Sequence, residues 1–363
     1  MRPTFVEINL PQIKKNIDAI KQHVAPAKVM PMVKANAYGH GVDGVAPYLE
    51  PYVDCFGVAL VEEGIHLRQL GIRKPILVAG GTLEEQLPLF IEYDLILTAS
   101  SPEVLASAEA AAASAQKKLT AHLKIDTGME RVGVHYYEAE SFLGQSLDCK
   151  HVLIEGIYTH FANSEDAQLT HARQQLERFQ EVLRFYEQRS LPTPMRHMAN
   201  SAAVLHFPES HMELVRPGVM IYGVYPVGVP HSVEIAPAIK WRSKVAFSKR
   251  TRPGHPVSYG SLWQSDVETR IVTIPCGYAD GYFRRMTNRA QVLVNGRKYP
   301  QVGRICMDQF MVNVGNDMAQ VGDEVVLLGD GISAYDLAEW TGTNEYEVMT
   351  NISARVPRVY LSE

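Results

Sequence analysis

The sequence predicts an α/β fold: a (β/α)8 barrel over residues 10–235, joined to a C-terminal, mainly β domain that spans 236–363 and takes in residues 1–9. Three observations lead there. Eight short apolar runs alternate with helix-like stretches over the first two-thirds of the chain, which implies a parallel sheet. Polar residues collect at the C-terminal ends of those runs, the face on which such barrels carry their chemistry. Near residue 236 the pattern changes to strand-like runs separated by turn signals.

In chain order, Phe5–Ile8 reads as a strand and is expected to pair with the distant β domain. A helix follows at roughly Leu10–His23. The first barrel strand, Val29–Lys34, closes on the Gly-rich turn Lys34–Gly41. The others are Cys55–Leu60, Pro75–Gly80, Leu95–Ser100, His122–Asp126, Leu153–Phe161, Met195–Asn200 and Glu213–Gly218. Helix-like stretches between them include Val61–Leu70, Glu84–Tyr93, Pro102–Gln116 and Gln168–Gln188. Eight such units suggest closure into a barrel, though periodicity alone also permits an open sheet. Beyond residue 236 the strand-like runs are Ile239–Phe247, Arg270–Ile274, Ala290–Val294, Met311–Val314 and Glu324–Leu328. Asn295-Gly296 and Gly329-Asp330-Gly331 are turn signals, and one helix, Ala334–Trp340, interrupts the strands.

Composition removes several function classes. Of 363 residues, 46% are apolar and 21% charged, an ordinary globular balance that argues against disorder. A net charge of -5 without a basic cluster gives no footprint for nucleic acid or an anionic membrane. No apolar stretch approaches a membrane span, and Met1–Asn9 lacks the apolar core of a signal peptide, so a soluble cytoplasmic protein is expected. Cys55, Cys149, Cys276 and Cys306 share no CxxC spacing, which points to neither a zinc site nor a disulfide framework.

The rim of the expected barrel is where the chemistry concentrates. Lys34 ends strand one, and a lysine at the inner end of a strand loses hydration, which lowers its pKa and frees the amine as a nucleophile. Its bland alternative is a lysine snorkelling out of the strand end. Lys124 and Asp126 end strand five, with Arg131 beyond them; His160 lies near the end of strand six. Asn200-Ser201 follows strand seven, with Ser201 expected as a helix N-cap. Arg216 ends strand eight, and Gly218–Tyr222 offers a turn suited to close approach by an anion. Singly, His160 also reads as a core histidine and Ser201 as an ordinary cap; their gathering on one rim argues for a site. A Schiff-base lysine facing a phosphate cradle suggests pyridoxal 5'-phosphate.

Over nearly its whole length the chain resembles the alanine racemase family. The resemblance rests on Val33–Gly41 (VKANAYGHG), Lys124–Arg131 (KIDTGMER), Arg216-Pro217-Gly218, Val257–Gly260 (VSYG), Gly277–Gly281 (GYADG) and Gly303–Asp308 (GRICMD). It implies that Lys34 holds the cofactor and serves as one of two acid/base groups, with Tyr259 of the partner subunit as the other. That in turn implies a homodimer with composite sites acting on alanine, a small-molecule substrate, and supplying D-alanine for the cell wall. The resemblance gives His160 and Arg216 to the network that assists the tyrosine, and Arg216 to the cofactor's ring nitrogen. It gives Tyr38, Asn200, Ser201, Gly218 and Tyr222 to the phosphate. Arg131, Tyr278, Met307 and Asp308 match positions near the substrate carboxylate and the entrance. Lys124, set near Arg131, matches a lysine that many relatives carbamylate. One departure is Ala354, where many relatives carry a tyrosine that reaches the phosphate.

Three other readings compete. A non-catalytic, single-barrel pyridoxal-phosphate-binding protein has no β domain of this length. A barrel-type decarboxylase sets an acid against the ring nitrogen, where this chain has Arg216. A racemase of serine or broader specificity is a third reading, which Ala354 keeps alive and the missing signal peptide counts against.

Overall fold

Short apolar strands that alternate with amphipathic helices have one economical burial: the strands inside, the helices around them. The computed structural model describes residues 2–362 and follows that rule in the larger of two compact units, Ile13–Ala37 with Val42–Ala236. Its strands are Lys28–Val29, Phe56–Val58, Ile76–Val78, Leu97–Ala99, Leu119–Asp126, Val152–Tyr158, Met195–His197 and Leu214–Val215. All pair in parallel. Bridges Met32↔Gly57 and Leu77↔Ile96 join the second strand to the first and the third to the fourth, which closes the ring. The barrel is therefore closed, and the open-sheet alternative falls.

Helix sequences show why they pack as they do. Thr170–Gln188 buries Ala172, Leu176, Phe179, Val182, Leu183 and Tyr186, an i, i+3, i+4 stripe on an otherwise polar helix. Pro102–Ser114 starts where Ser101 accepts from the Val104 N–H at 3.2 Å, with Pro102 at the first helical position. Two helices lie outside the predicted set, Val42–Leu49 and Ala139–Leu147. The expected helix Glu84–Tyr93 is a 3-10 turn, Glu84–Gln86, followed by a short α-helix, Leu87–Glu92, that starts with Pro88 near its N-terminus.

The second unit, Met1–Gln12, Tyr38–Gly41 and Pro237–Glu363, is built on a nine-stranded sheet. Phe5–Asn9 pairs antiparallel with Ile239–Lys244 and parallel with Arg358–Leu361. The expected strand Ile239–Phe247 is two strands, Ile239–Lys244 and Phe247–Thr251. They separate because Val245 bonds to Asp323 while Ala246 bonds to Thr273, so the chain changes neighbours there. Asn295 and Gly296 take positive φ (49° and 79°) and turn Gln291–Val294 into Arg297–Val302, a hairpin strand absent from the predicted set. Ala334–Thr341 is capped by Ser333 and Asp336, and a second helix, Glu345–Thr350, follows it. Trp241, Tyr282 and Phe310 form the aromatic centre, with Tyr282 and Phe310 stacked at 4.5 Å.

Candidate active site

The first strand is regular only over Lys28–Val29, with Met32 as an isolated bridge, so Lys34 does not end it as expected but opens the turn that follows, half-buried at the C-terminal mouth of the barrel. The backbone beyond it is left-handed over Ala35, Asn36, Ala37 and Tyr38, with φ of 51°, 54°, 53° and 51°. Residues with a Cβ occupy that region at a cost of about 1–2 kcal/mol each, so surrounding contacts must hold the turn. Ala35 N–H donates to Glu63 Oε1 at 2.6 Å, and Val42 N–H donates to Asn36 Oδ1 at 2.7 Å. The turn Lys34–Gly41 expected from the sequence is present, and its left-handed backbone begins at Ala35, ahead of Gly39 and Gly41, which also take positive φ. Burial foremost, then the Arg131 charge, lowers the Lys34 pKa; Glu63 opposes this and Arg216 adds to it.

Arg216 is buried, and no carboxylate pairs with it among the described residues. Its Nη1 donates to His197 Nδ1 at 2.7 Å, and its Nη2 donates to the Thr159 carbonyl at 2.8 Å and to His160 Nδ1 at 3.2 Å. A guanidinium has no acceptor, which fixes the protons of its neighbours. His197 must present a bare Nδ1, so its proton sits on Nε2, which donates to His122 Nδ1, 2.9 Å away. His122 then carries its proton on Nε2, an atom that is buried without a partner. His160 likewise keeps its proton on Nε2. Burial and the Arg216 charge hold all three imidazoles neutral, pushing His122 down to about 3 and the other two well below their usual range. Burial also lowers Arg216, to about 10, leaving it a cation at neutral pH. Tyr158 stacks on His197 at 4.6 Å, with the Arg216 guanidinium 5.0 Å from its ring centre. The layer fits because residue 156 is glycine: a Cβ there would lie 2.6 Å from the His122 ring.

Lys124 is buried beneath the mouth, donates to the Ile125 carbonyl at 3.0 Å and lies 5.2 Å from the Tyr158 ring centre. Burial first, then Arg216 and Arg131 against the opposing Asp126, lowers its pKa to about 7. Asp126 is occupied by its own loop, accepting from Gly128, Met129 and Arg131 N–H groups at 2.8, 2.9 and 3.1 Å.

Among the proposed phosphate residues of the barrel unit, Ser201 and Gly218 are hydrogen-bonded to each other, and one expectation needs correction. Asn200, not Ser201, caps the Ser201–His206 helix, accepting from Ala203 N–H at 3.1 Å. An amide oxygen one residue earlier reaches that donor, and Ser201 Oγ instead accepts from Gly218 N–H at 2.9 Å. Tyr222 is buried and donates to the Met32 carbonyl at 3.0 Å.

The remaining candidates belong to the β unit. Tyr259 opens a 3-10 turn and is 71% exposed. Ser258 before it takes φ 69° and donates to the Arg304 carbonyl at 2.6 Å. Tyr278 and Met307 are exposed on segments packed back to back: Tyr278 N–H bonds to the Cys306 carbonyl at 3.1 Å. A Cβ on Gly277 would come within 2.3 Å of the Met307 oxygen, which is why that contact needs glycine. Asp308 pairs with Arg355 at 2.8 Å. Tyr38 is buried with its ring 6.3 Å from Tyr346, whereas Ala354 is exposed.

Sequence reasoning misses Glu63, His122, Tyr158 and His197. Period-two alternation holds a signal for two of them: His122 shares a strand face with Lys124 and Asp126, and Tyr158 precedes His160 by two.

A closed parallel barrel with cationic side chains gathered at its C-terminal mouth, continued in the same chain by a mostly antiparallel sheet, defines an enzyme of the barrel-plus-β-domain class. Residues 8–226 match the family described as alanine racemase, N-terminal domain, and residues 238–360 match alanine racemase, C-terminal domain. The alanine racemase of Carboxydothermus hydrogenoformans is 42% identical over 369 residues, covering 99% of this chain and 100% of that protein. The solved alanine racemase of Clostridium difficile 630 superposes with a TM-score of 0.95 at 36% identity, covering 99% of this chain and 96% of that one. The solved alanine racemase of Bartonella henselae, described with covalently bound pyridoxal phosphate, gives a TM-score of 0.92 at 30% identity, with coverages of 99% and 100%. The chain belongs to the alanine racemase family and is a racemase, an isomerase. No helix among the described residues is long and apolar enough to cross a membrane.

Proposed function

We propose that this chain interconverts L- and D-alanine in the cytoplasm, with pyridoxal 5'-phosphate held at Lys34 of the 10–235 barrel, and so supplies D-alanine for peptidoglycan. The observation that carries this is Arg216, a buried cation whose partners are histidines and carbonyls, beside a lysine whose pKa is lowered. These residues fit the cofactor: an amine eased toward neutrality for the aldehyde, and a donor-only group for the ring nitrogen. Ser201, Gly218, Asn200, Tyr222 and Tyr38 would hold the phosphate. When bound, pyridoxal phosphate supplies an electron sink that makes the α-proton of an amino acid removable.

The residues then divide the proton work. Lys34 Nζ takes or returns the α-proton on one face. The Oη of Tyr259 of the partner subunit serves the other, because inversion needs a proton delivered opposite to the one removed. A phenol has a reference pKa of about 10 and needs help near neutrality. His160 offers it as an Nε2–H donor, its tautomer fixed by Arg216. Arg131, Met307, Tyr278 and Asp308 would receive the substrate carboxylate and frame the entrance. Tyr259 belongs to the β domain, 1–9 with 236–363, and the family resemblance, in which the matching tyrosine serves the other subunit's site, supports a homodimer as the working form. Lys124 is the candidate for carbamylation, which would turn a buried amine that lacks a carboxylate partner into an anion facing Arg131.

The test is a racemisation assay on purified protein across alanine, serine and larger amino acids, with and without added cofactor. Alanine is expected to turn over fastest. Preference for serine would move the assignment to the broader reading that Ala354 favours, and absence of racemisation at full cofactor loading would leave a binding protein. Mixing Lys34→Ala with Tyr259→Phe subunits tests the composite site: activity returns if the two sites are built across subunits.

A further inference from the structure

The left-handed turn after Lys34 is held from outside by a carboxylate that already has another task. Glu63 sits in the first turn of the Val61–Gln69 helix, and its Oε2 caps that helix by accepting from Ala59 and Leu60 N–H groups at 2.8 and 3.2 Å. Capping needs only one oxygen. The other, Oε1, reaches across to the Ala35 N–H at 2.6 Å, the amide directly after Lys34.

We propose that Glu63 is a positioning residue for Lys34, tying the amide beside it to the loop after the second barrel strand and so fixing where Nζ stands. Resting on the reading of Lys34 as the cofactor lysine, the idea explains why four consecutive residues with a Cβ stay left-handed without a glycine among them. Glu50 provides an internal comparison. Its Oε1 accepts from Arg73 and Lys74 N–H groups at 2.6 and 3.1 Å, the same kind of clamp, but just before the third strand, at the end of the barrel away from the mouth.

Glu63→Gln separates the two tasks. The amide oxygen can keep capping Ala59 and Leu60, while its NH2 then faces the Ala35 N–H, donor against donor. The parent, Glu63→Gln and Glu50→Gln holoenzymes are compared by kcat and KM for alanine, the pH midpoint of the bound cofactor's absorbance, and hydrogen exchange at the Ala35 amide. In Glu63→Gln, kcat is expected to fall about 10–100-fold with KM changed less than about threefold, since small misplacements of a reacting group cost rate more than binding. Ala35 exchange should quicken, and the absorbance midpoint should fall because Glu63→Gln removes a negative charge beside the amide next to Lys34, and a nearby negative charge favours a protonated nitrogen. Glu50→Gln should leave all of these at parental values. Parental kcat and Ala35 exchange in Glu63→Gln, or an equal kcat loss in Glu50→Gln, overturns the proposal. Borohydride reduction of each holoenzyme distinguishes the underlying failure. Label on a lysine other than Lys34 overturns the site reading itself. With label on Lys34, parental kinetics in Glu63→Gln count against the role of Glu63 alone.

Discussion

Replacing His197 tests whether Arg216 dictates the protons around it. In His197→Leu the Arg216 Nη1 loses its 2.7 Å acceptor inside a buried site. A hydrogen bond to a charged group is worth about 1.5–3 kcal/mol. The 4.6 Å stack on Tyr158 adds about 0.5–1.5 kcal/mol. His122 also loses its donor, at about 1 kcal/mol. The new leucine returns about 1.5–2 kcal/mol through burial. The net loss is therefore about 1–4 kcal/mol. Two further variants discriminate by geometry. Asparagine sets its Oδ1 where Nδ1 stood and can still accept from Arg216; glutamine sets its oxygen near the former Nε2 and cannot. Asn should retain most of the stability and activity, whereas Gln should behave like Leu. The assay is urea unfolding of holoenzyme at fixed chain and cofactor concentrations, alongside kcat. Equal losses for Asn and Gln would refute the tautomer assignment, because that assignment makes Nδ1 the essential atom.

Reduction with borohydride followed by peptide mapping should fix the cofactor on Lys34; a label at Lys124 would exchange the roles of the two rim lysines. In Tyr259→Phe, Lys34 should still exchange the α-proton of D-alanine with heavy water while racemisation falls about 10²–10⁴-fold, and equal loss of exchange for both enantiomers would remove the two-base scheme. Lys124 gives a pH signature. Its folded pKa of about 7 lies below its unfolded value of 10.5, so between those values the unfolded chain binds more protons and stability rises with pH. Lys124→Met should lose that rise across pH 7–10, and parallel stability curves would mean that the amine is not the titrating species.

The sequence exposes features that break a local rule. Lys34, Lys124 and Arg216 stand out because charged residues end apolar strands, and Tyr259 because its motif lies far from the barrel. Features that obey the local rules stay hidden. His197 falls inside the expected strand Met195–Asn200 as an ordinary half-polar position, and only the pairing of that strand with the next, Leu214–Val215, brings it against Arg216. Glu63 looks like any first-turn acid of a helix; its second oxygen acts on an amide 28 residues earlier. The left-handed turn is invisible because alanine, asparagine and tyrosine give no warning of it. The break at Val245 depends on which neighbour each strand finds, which is a tertiary fact.

Phe5–Asn9 lies between Ile239–Lys244 and Arg358–Leu361 in the nine-stranded sheet, so one neighbour is made more than 200 residues later and the other is the last strand of the chain. At synthesis rates of about 5–20 residues per second, that strand leaves the ribosome tens of seconds before any partner exists. It emerges with alternating apolar side chains and unpaired amides, the features that recruit foreign strands. The barrel can close on the growing chain, but the sheet waits for the final residues. Newly made chains are thus most exposed to misassembly at Phe5–Asn9, and removing Arg358–Leu361 would unpair one edge of that strand.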